Sequence, residues 1–169
     1  MATIYMRSQA LLPTVIMGET GIGKTALIIF LTYISDLTFK HYNIHAGITK
    51  NDIVETIFDA EEIAEKDQKK LVLFLDEINT NPNLAGLLKE IVIDRRVEGR
   101  KISKNVVLIA ACNPYKLKTY SDQCLTAGLR KALLDNDRNY QLVYRVLNFP
   151  LAFLSYIQNY DTISKDQLA

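Results

Sequence analysis

The stretch that decides the fold is GETGIGKT, residues 18–25. Gly18, Gly21 and Gly23 crowd into six residues and stand directly before Lys24 and Thr25. The apolar run Ala26-Leu27-Ile28-Ile29-Phe30-Leu31 follows at once. Glycine is costly to order and is normally kept out of element interiors, so this crowding marks backbone that a Cβ would obstruct. Gly-x-x-x-x-Gly-Lys-Thr is the pattern of a phosphate-binding loop. Its backbone N–H groups turn inward around a polyphosphate, and the helix behind it offers its positive N-terminus to the same anion. The residues expected to hold the nucleotide are Gly18, Glu19, Thr20, Gly21, Ile22, Gly23, Lys24, Thr25 and Ala26. Lys24 can reach the β- and γ-phosphates of ATP, and the Thr25 hydroxyl can ligate Mg²⁺.

The flanking chain supplies the context such a loop needs. Thr14-Val15-Ile16-Met17 reads as a strand before it. Residues 24–34 read as a helix that is apolar almost all round, hence buried. Residues 42–46 read as a second strand. Thr49 and Asp52 then suggest an N-cap and a first-turn acid. The helix that follows carries Ile53, Ile57, Ala60 and Ala64 on one face, with Glu61, Glu62 and Lys66 outside. Leu71-Val72-Leu73-Phe74-Leu75 is an apolar run of strand length ending at Asp76. Leu84, Leu87, Leu88 and Ile91 repeat at helical spacing, and residues 106–111 form another buried strand. Leu125, Leu129, Ala132 and Leu133 mark a helix, and residues 142–146 a fifth strand. Pro150 opens a short helical pattern with Leu151, Leu154 and Ile157.

Strands apolar on both faces and alternating with helices predict a doubly wound α/β domain around a parallel sheet. Ligands bind such sheets at the carboxyl ends of the strands, so the residues just past each strand carry the expected chemistry. Asp76 ends the LVLFLDE run and can hold Mg²⁺ through water, while Glu77 can act as general base toward a water attacking the γ-phosphate. Asn113 ends the next strand and can hydrogen-bond that water or a γ-phosphate oxygen. Arg145, inside the expected fifth strand, and Arg138 before it are candidates for an arginine finger reaching a neighbour's phosphate. Arg95, Arg96, Arg100, Lys101 and Lys104 make a basic loop diluted by Glu90, Asp94 and Glu98, which reads as a solvated turn. His41 and His45 lack a paired ligand pattern and read as structural or exposed.

Composition narrows the field further. A chain of 169 residues suits one domain. A net charge of +1 points to neither nucleic acid nor an anionic membrane. Apolar stretches fall short of the roughly 20 residues that a membrane span needs. The N-terminus lacks the charged and apolar regions of a signal peptide. The two cysteines, Cys112 and Cys124, form no CxxC and fit a reducing, cytoplasmic setting. Cys112, within VVLIAAC, reads as a small core residue.

The loop, the DE-ended strand and the strand-terminal asparagine stand in the order and spacing of AAA+ ATPases. MGETGIGKTALI, NIHAGITKNDI, LFLDEINTNPNLAGLLKEIVIDRR, VVLIAACNPYK and LVYRVLNFP resemble an ATPase module of the mysterin family, the giant RING-finger AAA+ ubiquitin ligases. The resemblance runs from about Leu12 to Ile157. It implies Walker A roles for Lys24 and Thr25, Walker B roles for Asp76 and Glu77, and the sensor 1 role for Asn113. It further implies a five-stranded P-loop sheet, with residues 1–150 as the large subdomain and 151–169 as the start of a helical lid. That lid and its sensor 2 arginine are expected to be mostly absent from this chain. Two cysteines cannot build a RING, so no ubiquitin ligase activity is expected of the chain itself. The implied function is Mg²⁺-dependent ATP hydrolysis driving conformational change, with other AAA+ modules as partners in cis or in trans. The competing expectation is a nucleotide-dependent scaffold with little or no turnover, for which the missing lid argues. A helicase is a weaker alternative, because Asp76-Glu77-Ile78-Asn79 lacks that family's expected box and the basic surface is modest.

Overall fold

The computed structural model describes residues 1–114 and 151–160. Five parallel strands form the main sheet: β1 Val15–Met17, β2 Thr38–Asn43, β3 Leu71–Asp76, β6 Val106–Cys112 and β7 Ile157–Asn159. Their spatial order is β2-β3-β6-β1-β7, all pairs parallel. The glycine-rich loop therefore leaves β1, and the strand ending in Asp76 lies two places away. Between them sits β6, which delivers Asn113. The helices are α1 Ala2–Gln9, α2 Lys24–Ile34, α3 Lys50–Lys66, α4 Ala85–Val92 and α5 Leu151–Leu154. The chain is an α/β domain built on a parallel sheet, with helices on both faces and the glycine-rich loop between β1 and α2.

Strand periodicity divides the core between the two faces. Leu71, Leu73 and Leu75 point to the face covered by α3 and α4, where they join Ile53, Ile57, Leu88 and Ile91. Val72 and Phe74 point the other way, onto Ile4 of α1 and Ile28 and Leu31 of α2. Thr49 caps α3 through a reciprocal pair. Its hydroxyl accepts from Asp52 N–H at 3.3 Å, and its own N–H donates to the Asp52 carboxylate at 2.7 Å. The Thr49 N–H, and the Thr49 hydroxyl that also donates to the carboxylate at 2.8 Å, hold the Asp52 carboxyl below its ordinary range.

Several expectations need correction. Helix α2 is buried on one face only, because a single face meets the sheet; Ile29, Phe30, Tyr33 and Ile34 are exposed. Strand β2 spans Thr38–Asn43 rather than 42–46. Glu61 of α3 is not outside but buried, since the hairpin of β4 Arg96–Val97 and β5 Arg100–Lys101 folds over it. The Arg100 guanidinium and Ser103 N–H both donate to Glu61, and Arg100 lies 4.8 Å from the Phe58 ring centre. The basic segment is a two-stranded hairpin: Arg96, Arg100, Lys101 and Lys104 are exposed, as a solvated turn predicts, while Arg95 is half-buried. Its loop residues Glu98 and Gly99 both take positive φ, 51° and 78°, as the tight turn of a twisted hairpin demands. Ile157 does not continue a helix: it begins β7, which pairs with β1. The sheet therefore extends to Asn159, beyond the 150 boundary. The expected strand at 142–146 and the helix around Leu125 lie outside the described residues.

Candidate nucleotide-binding site

The strand ends and the loop enclose a cleft of about 270 Å³. Thr20, Gly21, Gly23, Lys24, Thr25 and Ala26 line one side, and Asp76, Glu77 and Asn113 the other. Of the expected nucleotide residues, Gly18, Glu19 and Ile22 do not line the cleft. Gly21 and Gly23 hold φ of 82° and 95°, the left-handed region in which a side chain would strain the turn into α2. Gly18 has a different reason to be glycine: a Cβ there would come within 2.6 Å of the Tyr160 carbonyl oxygen. Tyr160 N–H in turn donates to Met17 O at 2.7 Å, which fixes the end of β7 against the root of the loop.

Lys24 is buried, and its ammonium uses all three donors. It donates to Gly18 O at 2.7 Å, Glu19 O at 3.0 Å and Asn113 Oδ1 at 3.0 Å. Burial pushes its pKa below the ordinary lysine value, against the pull of Asp76, Cys112 and Glu77, which favours the charged form. A buried ammonium at the wall of the cleft is suited to anionic oxygens, which favour its charge.

Asp76 is the hub of the opposite wall. Its Oδ2 lies 3.4 Å from the Thr25 hydroxyl, which donates to it, and its Oδ1 accepts from Glu77 N–H at 2.8 Å. A hydroxyl and a carboxylate so close are hard oxygen donors. They fit Mg²⁺, which takes one or two protein oxygens and completes its shell with water and phosphate. Glu77 takes φ of 57°, a left-handed conformation uncommon for a residue with a Cβ. Such strain persists where surrounding bonds over-determine the backbone. Here Thr80 supplies them: its N–H donates to Glu77 O at 3.1 Å and its hydroxyl at 2.9 Å.

Glu77, Asn113, Asp76, Thr25 and Lys24 thus meet in one cleft; Arg145 and Arg138 lie outside the described residues. Two neighbours were not anticipated. His41 Nε2 lies 3.7 Å from Asp76 Oδ2. The ring is stacked on Phe74, 5.6 Å away. The parallel register of β2 on β3, which sets His41 beside Phe74 and Asn43 beside Asp76, is the signal that could have found it. Asn79 was noted only as part of a phrase, yet it is buried and donates to Asn113 O at 2.9 Å.

A family described as "RNF213 AAA domain" matches residues 1–116. The chain belongs to the RNF213 (mysterin) AAA family. It is 36% identical over 97% of its length to E3 ubiquitin-protein ligase rnf213-beta of Danio rerio, and 35% identical over 95% to E3 ubiquitin-protein ligase RNF213 of Homo sapiens. It is 42% identical over 67% of its length to RNF213 of Mus musculus. The chain spans only 4%, 4% and 2% of those three relatives. It is an RNF213-type AAA module, a nucleotide-binding fold. No helix among its described residues is long and apolar enough to cross a membrane.

Proposed function

We propose that this module binds ATP with Mg²⁺ in the cleft and hydrolyses it, driving conformational change in a larger mysterin-like assembly. The observation that carries the reading is the meeting of Lys24 and Asn113 at 3.0 Å beside the Asp76-Glu77 pair. On this reading Lys24 exchanges protein acceptors for phosphate oxygens, whose charge favours its protonated form. Backbone N–H groups of the loop and the N-terminus of α2 take the remaining phosphate charge. Thr25 and Asp76 would hold Mg²⁺, which supplies charge neutralisation of the phosphates when bound. Glu77 orients and deprotonates the attacking water, and the Asn113 carboxamide, fixed at the end of β6, orients the same water or the γ-phosphate. Neighbouring AAA modules are the proposed partners, and Arg145 is the proposed finger toward a neighbour's phosphate. The module's setting is proposed to be cytoplasmic, and any ligase activity to reside elsewhere in the longer relatives.

The test is ATP turnover by the 169-residue chain, measured with Mg²⁺ over a wide range of protein concentration. Turnover per chain that rises with concentration and collapses in Arg145→Ala supports hydrolysis completed in trans, since a finger contributes roughly 10³–10⁵ in rate. ATP binding with no turnover at any concentration replaces this reading with a nucleotide-dependent scaffold.

A further inference from the structure

Asn79 has no task in the reaction as proposed above, yet its position is unusual. It is buried, and one half of its amide is engaged while Oδ1 has no protein partner among the described residues. A buried carboxamide kept for a single hydrogen bond implies that the bond matters. That bond runs from Nδ2 to Asn113 O at 2.9 Å. Asn113 precedes Pro114, which has no N–H to donate. The strand pairing of β6 has ended by this point, so the Asn79 amide restrains the Asn113 carbonyl where the ladder no longer does.

The other end of the connection is Glu77. Ile78 N–H donates to Ala111 O at 3.1 Å, so the segment after β3 runs against the end of β6. Thr80 closes the turn back onto Glu77 O and also donates to Ile44 O at 2.6 Å, beyond the end of β2. Asn79 therefore lies two residues from one proposed catalytic group and is bonded to the backbone of the other.

We infer that Asn79 is a positioning residue: it fixes the Asn113 carboxamide relative to Glu77, and it acts on turnover through Asn113 alone. The inference rests on the hydrolytic reading above. It predicts that Asn79→Ala slows turnover while Mg²⁺-ATP affinity stays within about twofold, because Asn79 bonds neither Lys24 nor the loop and Lys24 exchanges Asn113 Oδ1 for phosphate oxygens when ATP binds. Misplacement of a reacting group by about 1 Å can cost on the order of a hundredfold, which bounds the expected loss.

The experiment is a double-mutant cycle on turnover, with Mg²⁺-ATP affinity measured for each protein: parent, Asn79→Ala, Asn113→Ala and both together. The expected result is that Asn79→Ala costs nothing further once Asn113 is alanine. Asn79→Leu guards against a variant that fails to fold, because its branched side chain fills the space that alanine leaves empty and removes the unpaired carbonyl. It should match the parent in denaturation midpoint and still be slow. Losses that multiply in the double variant, or an Asn79→Leu protein that is stable and as fast as the parent, overturn the role of Asn79 and leave hydrolysis standing. A parent that binds ATP without turning it over overturns the hydrolytic reading and this role together.

Discussion

Lys24 and Asn113 lie 89 positions apart in the chain, yet the Lys24 ammonium donates to Asn113 Oδ1 at 3.0 Å. Parallel pairing of β1 with β6 brings them together, with Met17 opposite Cys112 one residue before Gly18 and Asn113. The phosphate loop and the adjoining strand end thus share an ion–dipole contact before any ligand is considered.

Lys24→Ala removes that contact along with the cleft's central cation. Hydrogen bonds to charged groups contribute about 1.5–3 kcal/mol each. Loss of one bond to phosphate should therefore weaken ATP binding by roughly ten- to a hundredfold. The fold should also weaken, by about 1 kcal/mol, because the Asn113 carboxamide and the carbonyls of Gly18 and Glu19 lose their donor. Titration with a fluorescent ATP analogue and urea denaturation read the two effects; unchanged affinity would falsify the phosphate-loop assignment.

Gly18→Ala and Gly86→Ala should move stability in opposite directions. At Gly18 the new methyl would meet the Tyr160 carbonyl at 2.6 Å, and backbone has little room to give. A cost of about 1–3 kcal/mol is expected, as for overpacking elsewhere. Gly86 lies in α4 with nothing within 4 Å of a new Cβ, so alanine there should stabilise by about 0.5–1 kcal/mol. Urea midpoints for the two variants decide it. A Gly18→Ala protein as stable as the parent would show that β7 does not seal the loop root.

What the sequence revealed and what it concealed differ in range along the chain. Helix α2 was legible to the residue because its start is fixed by the Gly-Lys-Thr pattern itself. Strand β3 was legible because its apolar run ends abruptly at Asp76. Strand β2 was displaced because it is an edge strand: Thr38, Phe39 and Lys40 are all half-buried, so burial leaves no period to read. Glu61 looked like a surface acid because its partners, Arg100 and Ser103, are 39 and 42 positions away. Ile157 fitted a helical spacing with Leu151 and Leu154, but the open edge of β1 claimed it. Within the site, residues tied to local motifs were found. Asn79 and His41, whose roles depend on strand register, were not.

Cys112 should be chemically silent in the folded protein. Burial pushes its thiol up from 9.0 to about 12, and Lys24 offsets this only in part. A folded-state value above the unfolded one contributes stability that is complete below pH 9 and is lost as pH rises through about 12. Lys24, shifted downward, works in the opposite sense as pH climbs toward 10.5. The thiol effect is therefore read as a difference: Cys112→Ala should flatten the alkaline fall in stability relative to the parent. Peptide mapping after iodoacetamide should find Cys112 unmodified until denaturant is added. Rapid alkylation of Cys112 in the native protein at neutral pH would contradict its buried place at the end of β6.

Asp76 and Glu77 are adjacent, yet the proposed function gives them different work. Asp76 faces the Thr25 hydroxyl at 3.4 Å, and its other oxygen accepts from Glu77 N–H. Asp76→Asn keeps the shape but removes the negative charge from the pair proposed for Mg²⁺, so Mg²⁺-ATP affinity itself should fall. Glu77 lines the cleft with its backbone held in a left-handed turn, and its side chain is the one proposed to meet the attacking water. Glu77→Gln preserves size and turn but removes the base. ATP should bind as in the parent and remain intact, with turnover reduced by about 10²–10⁴-fold, the usual contribution of positioned proton transfer. Affinity and single-turnover hydrolysis, measured side by side for both variants, separate the roles. If Glu77→Gln hydrolyses ATP at the parental rate, the base lies elsewhere. If both variants lose affinity equally and neither changes the chemical step, the two carboxylates act as one Mg²⁺ site, and the water must be activated by another group.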